Sequence, residues 1–351
     1  MRRGKEYAGI DWFRLPAALM VIAIHTAPFS KISESLDFLL TYCLGRVAVP
    51  FFLMTTGYFV LAPACSGGLR RFLKKNVLLY LAVTLLYLPL TVYAGNLPES
   101  LAGAVRDLML DGTFYHLWYF PAAILGSVIV SVLLRVCSFR AAGVFAVCAY
   151  LVGLLGDSLY GAAQAVPVLR AFYGGIFSIC SYTRNGIFYA PVFLMMGVML
   201  RRSEKMRGPE RMADRRGEQR RNTVLLMISS VLMMTEGYLS FHFGLQRHNS
   251  MYLFLLPVMY FLYRLLLSMK GNAPVWTRSC SMLVYVIHPA VIVALRCAAG
   301  AAGLETVLVE NPLVLFLCVS VISFAAAMAA GWVYRKKVTD NESERTRMDR
   351  T

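Results

Sequence analysis

Apolar residues fall into long runs separated by short charged or turn-rich stretches. Ten such runs can be traced, at roughly 11–28, 47–62, 76–94, 117–134, 141–156, 185–200, 223–243, 249–267, 280–298 and 312–334. A helix rises about 1.5 Å per residue, so about 20 apolar residues cross the hydrocarbon core of a bilayer. The pattern predicts an all-α, polytopic membrane protein of about ten transmembrane helices. The second and fifth runs are short and require extension or tilt. The first is not read as a cleavable signal peptide, because it carries Asp11 and Arg14 and the alternation of the other spans depends on it. Neither an internal repeat nor a second folded domain is evident. The expected organisation is one transmembrane domain over 1–334 and a charged, disordered cytoplasmic tail over 335–351.

Composition removes the soluble alternatives. Of 351 residues, 58% are hydrophobic and 15% charged, more apolar surface than a soluble fold of this length can bury. The cationic excess, 35 Lys+Arg against 19 Asp+Glu, would suit a nucleic-acid partner only in a far less oily chain. Its distribution gives it another meaning. Twenty-seven of the cations fall in the termini and alternate loops that share the N-terminal side, seven on the opposite side, and Arg14 inside the first span. This positive-inside pattern predicts both termini in the cytoplasm of a bacterial-type plasma membrane, with the lipid bilayer as partner and no nucleic acid. The basic loop 201–222 reads as a topology determinant lying against anionic lipid. The eight cysteines show no paired C-x-x-C spacing, so neither a metal site nor a redox motif is expected. Cys43, Cys180 and Cys297 fall near the outer face, leaving one disulfide among them open.

Charges inside a bilayer cost about 2.5–3.5 kcal/mol each on insertion scales, so each is a candidate for function. The first span holds Asp11, Arg14 and His25. Eleven residues at about 100° each bring Arg14 and His25 to within about 20° of one face, about 16 Å apart along the axis, and Asp11 and Ala18 share that face. Two readings stand on spacing alone. In one, the guanidinium holds an anionic or carbonyl group on which the imidazole acts. In the other, Arg14 pairs with Asp11 and snorkels while His25 bonds a neighbouring helix. Glu236 in the seventh span lies about 20 Å deep counted from Thr223, close to the depth of His25, which permits a His25–Glu236 pair. His288 precedes Pro289, where the helix ladder is interrupted. It faces either a cavity or a freed carbonyl. His116, beside Trp118 and Tyr119, reads as an interface belt or an acceptor contact. Asn185 and Arg184 open the sixth span at the outer side, and His242 and His248 read as solvated. Thr55, Thr56 and Gly57 read first as close helix packing.

The start IDWFRLPAALMVIAIH, with ten residues between Arg14 and His25, resembles the R-x(10)-H signature of the acyltransferase-3 family of membrane acyltransferases. VPFFLMTTGYF at 49–59, HLWYF at 116–120 and VYVIHP at 284–289 are similar to the family too. So is the cluster Arg70, Arg71, Lys74 and Lys75, which resembles an RxxR-type motif with lysine in the last place. Within the family, IAIHTAPF (22–29), RVAVPFFLMTTGYF (46–59) and RNGIFYAPVFLMMG (184–197) look most like the N-terminal membrane domain of vancomycin-resistance membrane serine racemases. The pyridoxal-phosphate racemase domain of those proteins has no counterpart before Thr351, so neither that cofactor nor racemase activity is expected of this chain.

The resemblance implies transfer of an acyl group, often acetyl, from cytoplasmic acyl-CoA to a hydroxyl acceptor at or beyond the outer face, such as a sugar, a glycan or a small molecule. His25 matches the catalytic histidine, and Arg14 the arginine that positions or polarises the donor. Arg70, Arg71, Lys74 and Lys75 would hold CoA phosphates, although the positive-inside rule explains the same four cations. Glu236 would fix the tautomer of His25, and Asp11, His116, Asn185 and His288 would line the substrate path. The competing function is a transmembrane module for uptake of a small amino acid such as L-serine, with Arg14 on a carboxylate and Glu236 on an ammonium. A bare membrane anchor would have no use for these buried charges.

Overall fold

The computed structural model describes residues 7–62, 66–206, 215–274 and 276–348. Its described residues are helical, with no strand among them. The principal helices are α1 (Ala8–Thr26), α2 (Glu34–Leu61), α3 (Ser66–Tyr93), α4 (Tyr119–Val136), α5 (Phe139–Leu155), α6 (Pro167–Ile179), α7 (Ala190–Met206), α8 (Arg215–His242), α9 (Leu255–Ser268), α10 (Trp276–Ala302) and α11 (Pro312–Met348). Helices therefore stand at the positions of all ten apolar runs, and α6 is an addition that the pattern did not predict. Among the described residues seven helices are long and apolar enough to cross a membrane: α1, α2, α3, α4, α8, α10 and α11. The chain is a multi-pass, all-α membrane protein. Helices α5 and α9 are apolar but shorter, and α7 ends in the polar run RRSEKM.

Three boundaries differ from the sequence reading. Helix α2 starts thirteen residues before the expected 47, because Ser33 caps its first turn by accepting from Leu36 N at 3.3 Å. Asp37 then ties that turn to the preceding loop, accepting from Phe29 N at 2.9 Å and from Thr41 at 3.0 Å. The helix continues through a π segment at Phe38–Cys43 and a 3₁₀ segment at Leu44–Val47, so Arg46 lies inside the span rather than in the loop before it. Helix α11 runs to Met348 through most of the stretch expected to be a disordered tail. The basic loop 201–222 is narrowed from both ends by α7 and α8, and its middle, 207–214, lies outside the described residues, as do Arg2, Arg3 and Lys5.

The helices group into two compact units, residues 1–41 with 266–351, and residues 42–265. In the first, α1, α10 and α11 pack on one another. Their shared core includes Ala18 and Ile22 of α1, Cys280, Val284 and Ile292 of α10, and Leu315, Val319 and Ala327 of α11. Helix α1 ends where Ala27 takes a left-handed conformation, φ 47°, just before Pro28. In the second unit α7 is central and packs against α2, α4 and α5. Gly57 of α2 and Gly197 of α7 make this possible. A Cβ on either would strike the opposing backbone, at Leu194 O and Met54 O respectively. Thr55 and Thr56 bond back to Phe51 O and Phe52 O. The described cysteines, Cys43, Cys180 and Cys297 among them, are free.

Candidate functional site

The stripe Asp11–Arg14–Ala18–His25 faces α10. At one end Arg14 Nε donates to Asp11 Oδ1 at 3.2 Å, while Arg278 of α10 forks the same carboxylate, Nε to Oδ1 at 2.9 Å and Nη2 to Oδ2 at 2.6 Å. Such charge-assisted, two-pronged contacts fix position as well as charge. The Asp11 and Arg14 side chains are 11% and 16% exposed, so the bridge is largely withdrawn from solvent. Among the described residues Asp11 is Arg14's one ion-pair partner, and Arg14 gives it only Nε. The Asp11–Arg14 pair foreseen as one of two readings is present.

Farther along the same two helices, His25 stacks on His288, ring centroids 5.3 Å apart and planes 25° from parallel. His288 is fully buried. Its Nδ1 lies 2.9 Å from Tyr285 O and 3.1 Å from Val284 O. Carbonyl oxygens only accept, so Nδ1 carries a proton. Pro289, which has no N–H, leaves Tyr285 O without its usual helical donor, and the imidazole supplies one. Of the two readings, the freed-carbonyl one describes Nδ1, and the stack with His25 gives the same ring a second contact.

Residues 7–332 match the family model described as an acyltransferase domain, Acyl_transf_3. The chain belongs to the acyltransferase-3 family. It is similar to two proteins of Enterococcus faecalis, each named amino-acid racemase, at 37% and 38% identity over 93% and 91% of its length. It is also similar to a serine/alanine racemase of Enterococcus gallinarum, at 35% identity over 94% of its length. It spans 45–47% of the length of these relatives. No solved structure matches.

The remaining candidates of this acyltransferase-3 chain lie in the unit 42–265. Arg70, Arg71, Lys74 and Lys75 stand exposed on the first turns of α3, and among the described residues none of them is ion-paired. His116 is buried in an aromatic box, with the rings of Tyr87, Tyr115 and Phe114 at 5.0, 5.5 and 5.6 Å. Asn185 has both ends of its amide engaged by its own turn: Nδ2 donates to Tyr182 O at 2.8 Å, and Oδ1 accepts from Ile187 N and Phe188 N at 2.9 and 3.1 Å. Glu236 accepts from Leu253 N at 2.6 Å and Phe254 N at 3.0 Å. It thereby caps the approach to α9 from six residues before the end of α8.

Two arginines escaped the sequence reading. Arg278 was counted as a loop cation, since nothing in its local pattern marks it as the partner of Asp11. Arg46 was set just outside the second span. The shortness of that span was the available signal, because extending it backwards takes Arg46 into the membrane. His248, read as solvated, is half-buried, with Nδ1 2.7 Å from Ser250 Oγ and 3.5 Å from Asp157 Oδ2.

Proposed function

We propose that this chain is a membrane acyltransferase that moves an acyl group, acetyl in the simplest case, from cytoplasmic acyl-CoA to a hydroxyl acceptor at or beyond the outer face of a bacterial-type plasma membrane. The observation that carries the reading is the joint setting of Arg14 and His25 on one face of α1, Arg14 tied through Asp11 to Arg278 of α10 and His25 stacked on His288 of the same helix. A neutral His25 imidazole takes the proton of the acceptor hydroxyl as its oxygen attacks the thioester carbonyl. The C–S bond breaks, the ester forms, and the thiolate takes that proton from the imidazolium to leave as free CoA thiol. Arg14, held through Nε by Asp11, offers its terminal nitrogens to the carbonyl oxygen as charge develops there. Arg70, Arg71, Lys74 and Lys75 supply the electrostatics for CoA phosphates. Both termini are on the cytoplasmic side in this scheme.

The test is release of CoA thiol from acetyl-CoA by the protein in proteoliposomes, with a panel of sugar and small-molecule hydroxyl acceptors. His25→Gln is expected to lower turnover at least about 100-fold, within the span of general-base contributions, at an unchanged melting temperature. Arg70→Gln with Arg71→Gln should raise KM for acetyl-CoA and weaken its dependence on salt. Wild-type turnover by His25→Gln would overturn the assignment.

The relatives are named as racemases of amino acids, and a second reading makes this chain a transmembrane module for uptake of a small amino acid such as L-serine, the kind of substrate such an enzyme consumes. It requires CoA-independent accumulation of labelled serine in the same proteoliposomes. Accumulation no greater than in empty liposomes removes it.

A further inference from the structure

The unit 42–265 buries two arginines near each other with fewer carboxylates than guanidiniums around them. Arg46 is 7% exposed and its Nη2 donates to Asn249 Oδ1. The Arg184 guanidinium lies between two rings, 4.5 Å from the centroid of Tyr182 and 5.1 Å from that of Trp118. The Nε of each arginine is buried without a hydrogen-bond partner, and among the described residues neither belongs to an ion pair. Burial, with the neighbouring charge of Arg46, pushes the Arg184 guanidinium down to about 10. The carboxylate of this region is already committed: Asp157 Oδ1 accepts from Ser250 N at 2.7 Å and Met251 N at 2.9 Å, and Oδ2 faces His248 Nδ1. Tyr182 joins the two groups, its ring also packing on His248 at 5.2 Å.

Two like charges withdrawn from water are costly unless a counter-charge arrives. With His248 neutral, two guanidiniums against one carboxylate leave a single positive charge. We propose that Arg46 and Arg184, walled by Trp118, Tyr182 and Tyr42, form a binding site for a small organic monocarboxylate. The guanidinium fork matches a carboxylate in two-pronged fashion, and the aromatic walls suit the apolar remainder of the ligand. A phosphate dianion would exceed the charge available and meet Asp157. Tyr42 belongs to the wall because the Arg46 guanidinium lies 5.6 Å from its ring. The site's measurement needs neither acyl-CoA nor turnover.

The purified protein in detergent is melted at constant ionic strength and pH 7.5 while sodium chloride is exchanged for sodium acetate, sodium D-lactate or sodium phosphate. Binding to the native state raises the melting temperature saturably. Acetate and D-lactate are expected to do so, phosphate and chloride not. Arg184→Gln and Arg46→Gln should each raise the apparent Kd at least about tenfold, the loss of one charge-assisted contact. Arg170→Gln, an exposed arginine bonded to Gln164 O, should leave it unchanged. Should the glutamine variants fail to fold, Arg184→Lys keeps the charge without the fork and should lose a similar factor. In the wild type, acetate should shift tryptophan emission saturably, a change absent from Trp118→Phe. An equal response to phosphate or chloride, an Arg184→Gln or Arg184→Lys response equal to wild type, or a shift that survives in Trp118→Phe would each overturn the proposal.

Discussion

A guanidinium inside a membrane has to be neutralised, and Asp11 does this for Arg14 from one turn away. Asp11 accepts from its Nε, and Arg278 takes up the rest of that carboxylate. His288 follows the same economy, with Nδ1 repairing the helix at Pro289 while its face supports His25. In the other unit His248 is held neutral, down to about 4, chiefly by burial and further by Arg184 and Arg46, against the pull of Asp157. Burial alone would raise the Asp157 carboxyl, but the bonds from His248, Ser250 and Met251 hold it below the ordinary carboxylate value. The sign for His248 follows from its folded value lying below the ordinary 6.5. Between about 6.5 and 4 the unfolded chain binds the additional proton, so this contribution is constant at higher pH and falls as pH drops through that window. The expected slope is at most about 1.4 kcal/mol per pH unit. Melting temperatures from pH 7 to 4.5 should fall less steeply for His248→Gln than for wild type, and parallel curves would refute the assignment.

At the scale of elements, the Gly57–Gly197 crossing sets how closely α2 and α7 approach. Gly197→Leu must drive a side chain into the backbone at Met54, and overpacking of this kind costs about 1–3 kcal/mol. The expected result is a clearly lowered melting temperature, with Gly143→Ala, where a Cβ meets open space, as the neutral control. Glu236 also acts at this scale, since its two oxygens hold the start of α9 from the neighbouring helix. This crossing was legible in the Thr55-Thr56-Gly57 run, because a small residue in an apolar helix has few uses besides close approach. The Glu236 cap was not. A carboxylate deep in an apolar run looks the same whether it faces a histidine or two backbone amides, and only the path of residues 253–254 decides.

For the whole molecule, the distribution of cations predicts orientation. Lys270→Cys, in a cysteine-free background, should be labelled by a membrane-impermeant maleimide only after the cells are opened, and Asn96→Cys should be labelled in intact cells. The reverse pattern would invert the topology and, with it, the side from which acyl-CoA arrives. The all-α, multi-pass architecture was legible because the bilayer demands it of any chain with such runs. The start of the second helix was not, because Ser33 and Asp37 build a capped turn that carries the helix back past a polar stretch.

Local properties of the chain, the period of its apolar runs, the cost of charge in lipid and the 3.6-residue turn, were enough to determine a helical membrane protein with Arg14 and His25 on one face of its first helix. The match to the acyltransferase-3 family covers residues 7–332, that helix included. Packing alone decided who meets whom: Arg278 on Asp11, His288 on His25, and Arg46 beside Arg184 around an already committed Asp157. Those partners lie from 138 to 267 residues apart in the chain. No periodicity encodes such meetings, because they depend on which helix faces come together.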